Sequence, residues 1–165
     1  MAVLNVHERA LKCSAEALGA LIDSLASDED QLWPRRAWPP MTFDRPLGVG
    51  ATGGHGPIRY RVSHYVPGRW VRFRFTGPRG FDGFHEFTTD HADDGRAVLR
   101  HTIAMYVRGP ARLTWPLMIR PLHDALLEDS LDCAERAITG LVSQPAQWSR
   151  YVRFLRRIRG RRQSP

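Results

Sequence analysis

The chain has 165 residues, 42% of them hydrophobic, and a formal net charge of +7. The length and the hydrophobic fraction favour one domain with one core. No window of the sequence approaches the roughly 18 consecutive apolar residues of a membrane span. The N-terminal MAVLNVHERALKC lacks a secretory pattern, and Cys13 and Cys133 are too few for a disulfide framework or a zinc cluster, so we expect a soluble, reduced, cytoplasmic protein.

The first predicted elements are a strand and two short helices. Residues 2 to 12 alternate as in a half-buried strand, with Leu4, Val6 and Ala10 on one side and Asn5, His7 and Arg9 on the other. Ser14 is suited to cap a helix that runs to about Ala26. The segment SDEDQLW predicts a second short helix or turn, and the prolines of WPRRAWPPM predict an extended loop.

The next predicted elements are antiparallel strands. IRYRVSHYV and RWVRFRFT both alternate, and Pro67-Gly68 between them is a turn signal. A two-residue loop makes paired residue numbers sum to 135. This register places Val62 opposite Phe73 and Tyr60 opposite Phe75 on one face, and it also places His64 on that face.

A second hairpin, GFHEFTT followed by AVLRHTI, carries two histidines on the face that alternation makes apolar. The inward residues are odd-numbered on both strands. Because residues that pair across the hairpin share a face, the numbers of two paired residues must add up to an even number. A loop of three or five residues around HADDG, with Gly95 at a positive φ, satisfies this. His85 then lies opposite His101 or one pair removed from it, and both face one interior.

After Arg108 the period changes from that of a strand to that of a helix. A transitional segment ends near Pro121, and a long helix is predicted from there to about residue 142. Two stripes give this helix a broad inward face, which includes Leu126, Ser130 and Cys133.

The positive charge is concentrated at the end of the chain. Residues 144 to 165 contain seven arginines and no acid, and the remaining 17 basic side chains are matched by 17 acidic ones. RYVRFLRRIRGRR has the spacing of an amphipathic helix. We interpret residues 1 to 143 as the domain and 144 to 165 as a tail that is dispensable for folding. The tail would contact an anionic membrane through Arg150, Arg153, Phe154, Arg156 and Arg157, in preference to nucleic acid. The alternatives are a solvated terminus and a helix that packs on its own domain.

The order of elements resembles the helix-grip fold of the SRPBCC superfamily, which includes START lipid-transfer domains, polyketide cyclases and birch-pollen-allergen-type proteins. The segments that carry the resemblance are ALKCSAEALGALID, YVPGRWVRFRF, GFHEFTT…GRAVLRHTI and LHDALLEDSLDCAERA, within residues 2 to about 142. The resemblance implies an α+β fold in which a curved antiparallel sheet of about six strands wraps around the long C-terminal helix.

The resemblance also implies an apolar pocket between the sheet and the helix, where such proteins hold lipids, sterols or polyketides. The candidate ligand-binding residues are Tyr60, His64, Phe73, Phe75, His85, Phe87, Leu99, His101, Ile103, Leu126, Ser130 and Cys133. Each histidine alone is better explained as a core residue bonded to a carbonyl or a buried water. For two histidines on adjacent strands that face one interior, polar groups in a shared cavity are an equally good explanation.

Other motifs do not support a catalytic or cofactor site. GVGATG fits the dinucleotide fingerprint but precedes a strand, so we interpret it as a loop, with His55 a solvated loop residue. His85 and Glu86 point to opposite faces of a strand. The helix dipole explains Asp124 beside His123. We expect no metal, because spacing implies no third ligand, and no cofactor.

These observations favour a carrier or sensor of a hydrophobic small molecule. The first alternative is an enzyme similar to polyketide cyclases, in which the cavity histidines act as acid and base. The second is a peripheral membrane protein whose basic tail brings the pocket to a bilayer.

Overall fold

A computed structural model describes residues 1–92 and 94–160. The strands are β1 Ala2–Leu11, β2 Thr42–Phe43, β3 Thr52–His55, β4 Ile58–Val66, β5 Trp70–Gly77, β6 Phe81–His91 and β7 Ala97–Val107. The helices are α1 Ala15–Asp23, α2 Ala111–Thr114, α3 Arg120–Thr139 and α4 Arg150–Gly160, and a π-helical turn, Trp115–Ile119, joins α2 to α3. Asp93 in the predicted turn and residues 161–165 of the predicted tail lie outside the described residues.

The strands form one antiparallel sheet of seven, in the order β1-β7-β6-β5-β4-β3-β2. The prediction of about six strands is therefore low by one, because part of the glycine-rich segment pairs as β3 and leaves a two-residue β2 at the edge. The segment predicted as a second short helix or a turn has no helix in the structure, and residues 24–41 form a set of turns. Asp30 organises these turns by accepting hydrogen bonds from the backbone N–H groups of Ala26, Leu32 and Trp33.

The β4–β5 hairpin confirms part of the predicted register and corrects the rest. Tyr60 pairs with Phe75 and Val62 with Phe73, as predicted. At Ser63 the register then shifts, and His64 pairs with Arg72. This β-bulge turns the His64 side chain to the exposed outer face, where it stacks on Trp70 with 5.4 Å between ring centroids. The prediction that His64 faces the interior is therefore wrong.

The β6–β7 hairpin has the predicted parity. His85 pairs with Ile103 and Phe87 with His101, so the two histidines are one pair removed from each other. His91 pairs with Ala97 across a five-residue loop in which Gly95 has a φ of 66°. Both histidine side chains are buried.

The helices that cover the sheet are slightly shorter than predicted. Ser14 caps α1 as predicted, accepting from the N–H of Ala17, but α1 ends at Asp23. The Asp23 carboxylate accepts from the N–H of Gly68 and the hydroxyl of Tyr65, which ties the end of α1 to the β4–β5 turn. α3 ends at Thr139 because Gly140 takes a left-handed conformation with φ 82°.

The strand β1 meets α3 through polar side chains, which reverses the expected faces. Leu4 is 73% exposed, whereas Asn5 is only 8% exposed. The inward row consists of Asn5, His7 and Arg9, and each of these side chains bonds to carboxylates on α3. Alternation identified the two faces of β1 correctly, but the polar face is the one that packs against the helix.

His7 and Arg9 each hold more than one carboxylate in this row. The ring nitrogens of His7 lie 2.8 Å from Glu128 Oε1 and 3.1 Å from Asp124 Oδ1. Burial alone would lower the pKa of His7, but these hydrogen bonds and charges outweigh it and raise the pKa. Arg9 Nη1 lies 2.7 Å from Asp132 and 2.9 Å from Glu135.

The last helix contacts the rest of the protein. Val152 is buried, and Trp148 Nε1 donates to Asp129 of α3. The Arg156 guanidinium lies 4.3 Å from the ring centroid of Trp38 and 4.1 Å from that of Trp148, and it donates to the carbonyl of Ala37. These contacts argue against dispensability for folding and remove Arg156 from the predicted membrane contacts.

Replacing Arg9 tests the polar row between β1 and α3. Arg9→Ala should lower the free energy of unfolding by about 2 kcal/mol, because two largely buried carboxylates lose their cation. Arg100→Ala is the matched control, since its partners Glu8 and Asp90 are exposed and the loss should stay below about 1 kcal/mol. Urea denaturation measures both, and equal losses would contradict the assigned role of Arg9.

Replacing Arg156 tests whether α4 is part of the folded unit. Arg156→Ala should cost about 2 kcal/mol of stability, because two aromatic contacts and a hydrogen bond are lost together. Arg156→Lys should recover only part, since the ammonium lacks the planar guanidinium face. Arg157→Ala, at an exposed position one residue on, should change stability by less than about 0.5 kcal/mol. Thermal melts that do not separate Arg156→Ala from Arg157→Ala would refute this.

Candidate functional site

A partly open cavity of about 130 Å³ lies between the sheet, α3 and the proline-rich loop before β2. Its wall is mainly apolar and aromatic, with four histidines as the exceptions. The lining residues are Trp33, Trp38, Pro39, His55, Pro57, Ile58, Phe75, Pro78, Phe81, His85, His101, Ile103, Trp115, Met118, Ile119, Leu122, His123, Leu126 and Leu127.

Two of these histidines are bonded to each other. His85 Nδ1 lies 3.2 Å from His101 Nε2, so one ring donates and the other accepts. The remaining nitrogens, His85 Nε2 and His101 Nδ1, are buried and have no hydrogen-bond partner among the residues that the structure describes. Buried polar atoms in native proteins are nearly always paired, so these two need an explanation.

The hydrogen bond between His85 and His101 determines which donor and acceptor atoms remain free on the two rings. If His85 donates to His101, His85 Nε2 is left as an acceptor and His101 Nδ1 carries a proton. If His101 donates instead, the two free nitrogens exchange roles. In either arrangement the neutral pair presents one free donor and one free acceptor.

The surroundings keep both rings neutral and hold them in place. Burial lowers the pKa of His85 and of His101 well below the usual value, and neighbouring histidines lower both further. His85 stacks on Phe73 and Phe75 with centroid distances of 4.8 and 5.1 Å. Tyr60 lies edge-on to His85 at 4.6 Å, and its hydroxyl bonds to His55 Nδ1.

Comparison with solved structures identifies the architecture. CalU16 from Micromonospora echinospora is 14% identical, with a TM-score of 0.58 over 98% of this chain and 86% of that one. Truncated norcoclaurine synthase from Thalictrum flavum is 12% identical, with a TM-score of 0.63 over 84% and 94%. Ara h 8.0201 is 11% identical, with a TM-score of 0.56 over 84% and 99%.

The chain has the helix-grip fold. These solved structures share that fold with the chain, and it is the fold that the sequence predicted. No family model and no curated protein matched the sequence. Among the described residues, no helix is both long and apolar enough to cross a membrane.

Only some of the predicted ligand-binding residues line the cavity between the sheet and α3. Five predicted residues line it: Phe75, His85, His101, Ile103 and Leu126. Five others, Tyr60, Phe73, Phe87, Leu99 and Ser130, are buried in the core behind or beyond the wall. Ser130 bonds to the carbonyl of Leu32, and Cys133 faces an outer groove. The odd or even number of a residue shows which face of a strand its side chain is on. It does not show how far the cavity extends along that face.

The sequence reasoning missed two histidines of the helix-grip cavity. His55 is half-buried at the end of β3, with its ring 4.8 Å from Trp33, so its assignment as a solvated loop residue is wrong. His123 lines the cavity and its ring lies 5.1 Å from that of His101. The signal for His123 was present, because it shares a helical stripe with Leu127 and Ala134.

Proposed function

We propose that the protein binds a small, mostly apolar molecule that carries one polar group. The observation that carries this proposal is the pair of unpartnered buried nitrogens on His85 and His101, two residues that line an apolar cavity. A carbonyl would accept from the free donor, and a hydroxyl would suit either nitrogen.

The volume of the cavity limits the size of the proposed ligand. An apolar cavity of roughly 150 Å³ holds benzene, whereas drug-sized ligands occupy roughly 300–1,000 Å³. At about 130 Å³, the site suits a molecule with one ring or a short branched chain. A sterol or a lipid with two acyl chains would require the wall to open.

The double variant His85→Leu/His101→Leu tests the polar anchor, with acetophenone and ethylbenzene as probes of similar shape. The unmodified protein should bind acetophenone about tenfold more tightly, because the carbonyl gains a buried hydrogen bond. The variant should bind both probes about equally. Its melting temperature should change little, since both members of the bonded pair are removed together.

Isothermal titration calorimetry measures the affinities for the two probes, and a melting curve measures the stability of the double variant. A large loss of stability with the preference for acetophenone intact would make the two histidines structural. Consumption of an added polyketone, in place of equilibrium binding, would instead support the hypothesis of a cyclase.

A second function is favoured by the surface beside the cavity. We infer that α2, the π-helical turn and α4 together contact an anionic membrane. Their exposed apolar side chains are Leu113, Leu117, Met118, Tyr151, Phe154 and Ile158. The Tyr151 hydroxyl bonds to the carbonyl of Leu117, which joins the two elements, and Met118 also lines the cavity. Exposed Arg112, Arg150, Arg153 and Arg157 suit lipid phosphates.

Cosedimentation with phosphatidylcholine–phosphatidylserine vesicles tests this surface. Leu117→Ser/Phe154→Ser should reduce binding at least tenfold, because the apolar contact with the acyl region is lost. Leu4→Ser/Val49→Ser removes two exposed apolar residues from other elements and should leave binding unchanged. Salt should weaken binding of the unmodified protein. Equal effects of the two double variants would contradict the inference.

A further inference from the structure

Three side chains that are far apart in the sequence meet where β1 crosses the start of α3. They are His7, His123 and Asp124, and one potential ligand atom from each lies within 4.8 Å of the other two. Asp124 Oδ1 is 3.1 Å from His7 Nε2 and 3.7 Å from His123 Nδ1. None of the three takes part in the proposed hydrogen bond between a ligand and the pair His85–His101.

We propose that His7 Nε2, His123 Nδ1 and the Asp124 carboxylate form a binding site for a divalent transition metal such as zinc. Metal–nitrogen bonds of about 2.0–2.1 Å in a tetrahedron place neighbouring ligand atoms about 3.4 Å apart. The two distances to Asp124 Oδ1 lie on either side of that value. The two histidine nitrogens lie within 4.8 Å of each other, and side-chain rotation would have to bring them to the tetrahedral spacing.

The donor atoms select the class of metal. Two imidazole nitrogens and one carboxylate oxygen suit zinc and its neighbours, whereas magnesium and calcium prefer oxygen ligands alone. Three protein ligands leave a fourth position for water, which is the arrangement of open zinc sites.

The unpaired nitrogen of His123 is the observation that points most directly to a ligand. Nδ1 is buried without a hydrogen-bond partner among the described residues, and the side chain is only 11% exposed. The 3.7 Å separation from Asp124 is too long for a hydrogen bond. A metal ion bound by both groups would give His123 Nδ1 the partner that it lacks.

Neighbouring polar groups already have the arrangement of an outer shell. His7 Nδ1 lies 2.8 Å from Glu128 Oε1, which would hold the proton on Nδ1 and leave Nε2 to the metal. Asn5 Nδ2 donates to Asp124 Oδ1 at 3.0 Å and orients that carboxylate. Metal binding would replace the proton that His7 Nε2 shares with Asp124.

Charge supports the proposal, and it also identifies the competitors. The carboxylates of Asp124 and Glu128 would balance a dication. Arg120 lies 3.6 Å from Asp124 Oδ2 and Arg9 lies 3.4 Å from Glu128 Oε2, so two cations already share these acids. Both of these contacts are made to the carboxylate oxygens that do not bond to His7.

Zinc titration of the full chain, freed of metal by chelation, tests the site by calorimetry. The unmodified protein should bind one equivalent. His123→Ala and Asp124→Asn should each weaken binding by more than about 100-fold, and Glu128→Gln should weaken it by roughly 10–100-fold as an outer-shell change. His64→Ala, at an exposed histidine on the outer face, should bind as tightly as the unmodified protein.

Cobalt(II) supplies a second readout, because nitrogen and oxygen ligation in a tetrahedron gives strong visible absorption that non-specific binding does not. The bands should be present in the unmodified protein and absent in His123→Ala. His123 makes no side-chain hydrogen bond between β1 and α3 among the described residues, so this variant should fold. Absence of zinc binding to the unmodified protein, or one equivalent retained by His123→Ala, would overturn the proposal.

Discussion

The row of ion pairs between β1 and α3 sets the position of the long helix. Asn5, His7 and Arg9 bond to four carboxylates spaced along α3, at Asp124, Glu128, Asp132 and Glu135. Because β1 pairs with β7 through ten residues, these bonds also fix α3 relative to the strand that carries His101. Ion pairs of this kind specify one orientation more than they add stability, since desolvation offsets much of the attraction. A rotated helix would leave several charges unpaired. The ion pairs with β1 on one side of α3 therefore determine which residues the helix presents to the cavity on another side.

The predictable part of the fold is the part governed by local rules. Parity alone placed His85 and His101 on one interior, and the structure has them one pair apart, as one of the two predicted options. Ser14 could be assigned as a cap because its hydroxyl and the donor that it caps, the N–H of Ala17, lie within one turn. The long helix was recognisable from its stripes, and only its last turn was misjudged, at the left-handed Gly140.

The unpredictable part depends on distant partners. The bulge that turns His64 outward leaves no mark in a strictly alternating sequence. The polar face of β1 turns inward because its partners lie more than a hundred residues further along the chain. Arg156 was assigned to a free tail, since nothing in the local sequence indicates that Trp38 and Trp148 enclose it. In the candidate site, His55 was missed for the same reason, because its contact with Trp33 is not visible in the local sequence.

The bond between His85 and His101 has a consequence for selectivity. The free donor and the free acceptor change places when the bridging proton crosses the hydrogen bond, one outer nitrogen releases a proton to a hydroxyl or a water in the cavity, and the other outer nitrogen takes one up from it. No heavy atom of either ring has to move. The wall can therefore adapt its polarity to whatever reaches it. The rigid aromatic side chains around the pair would then discriminate between ligands. The cavity would select ligands by shape and would accept either a donor or an acceptor as their polar group.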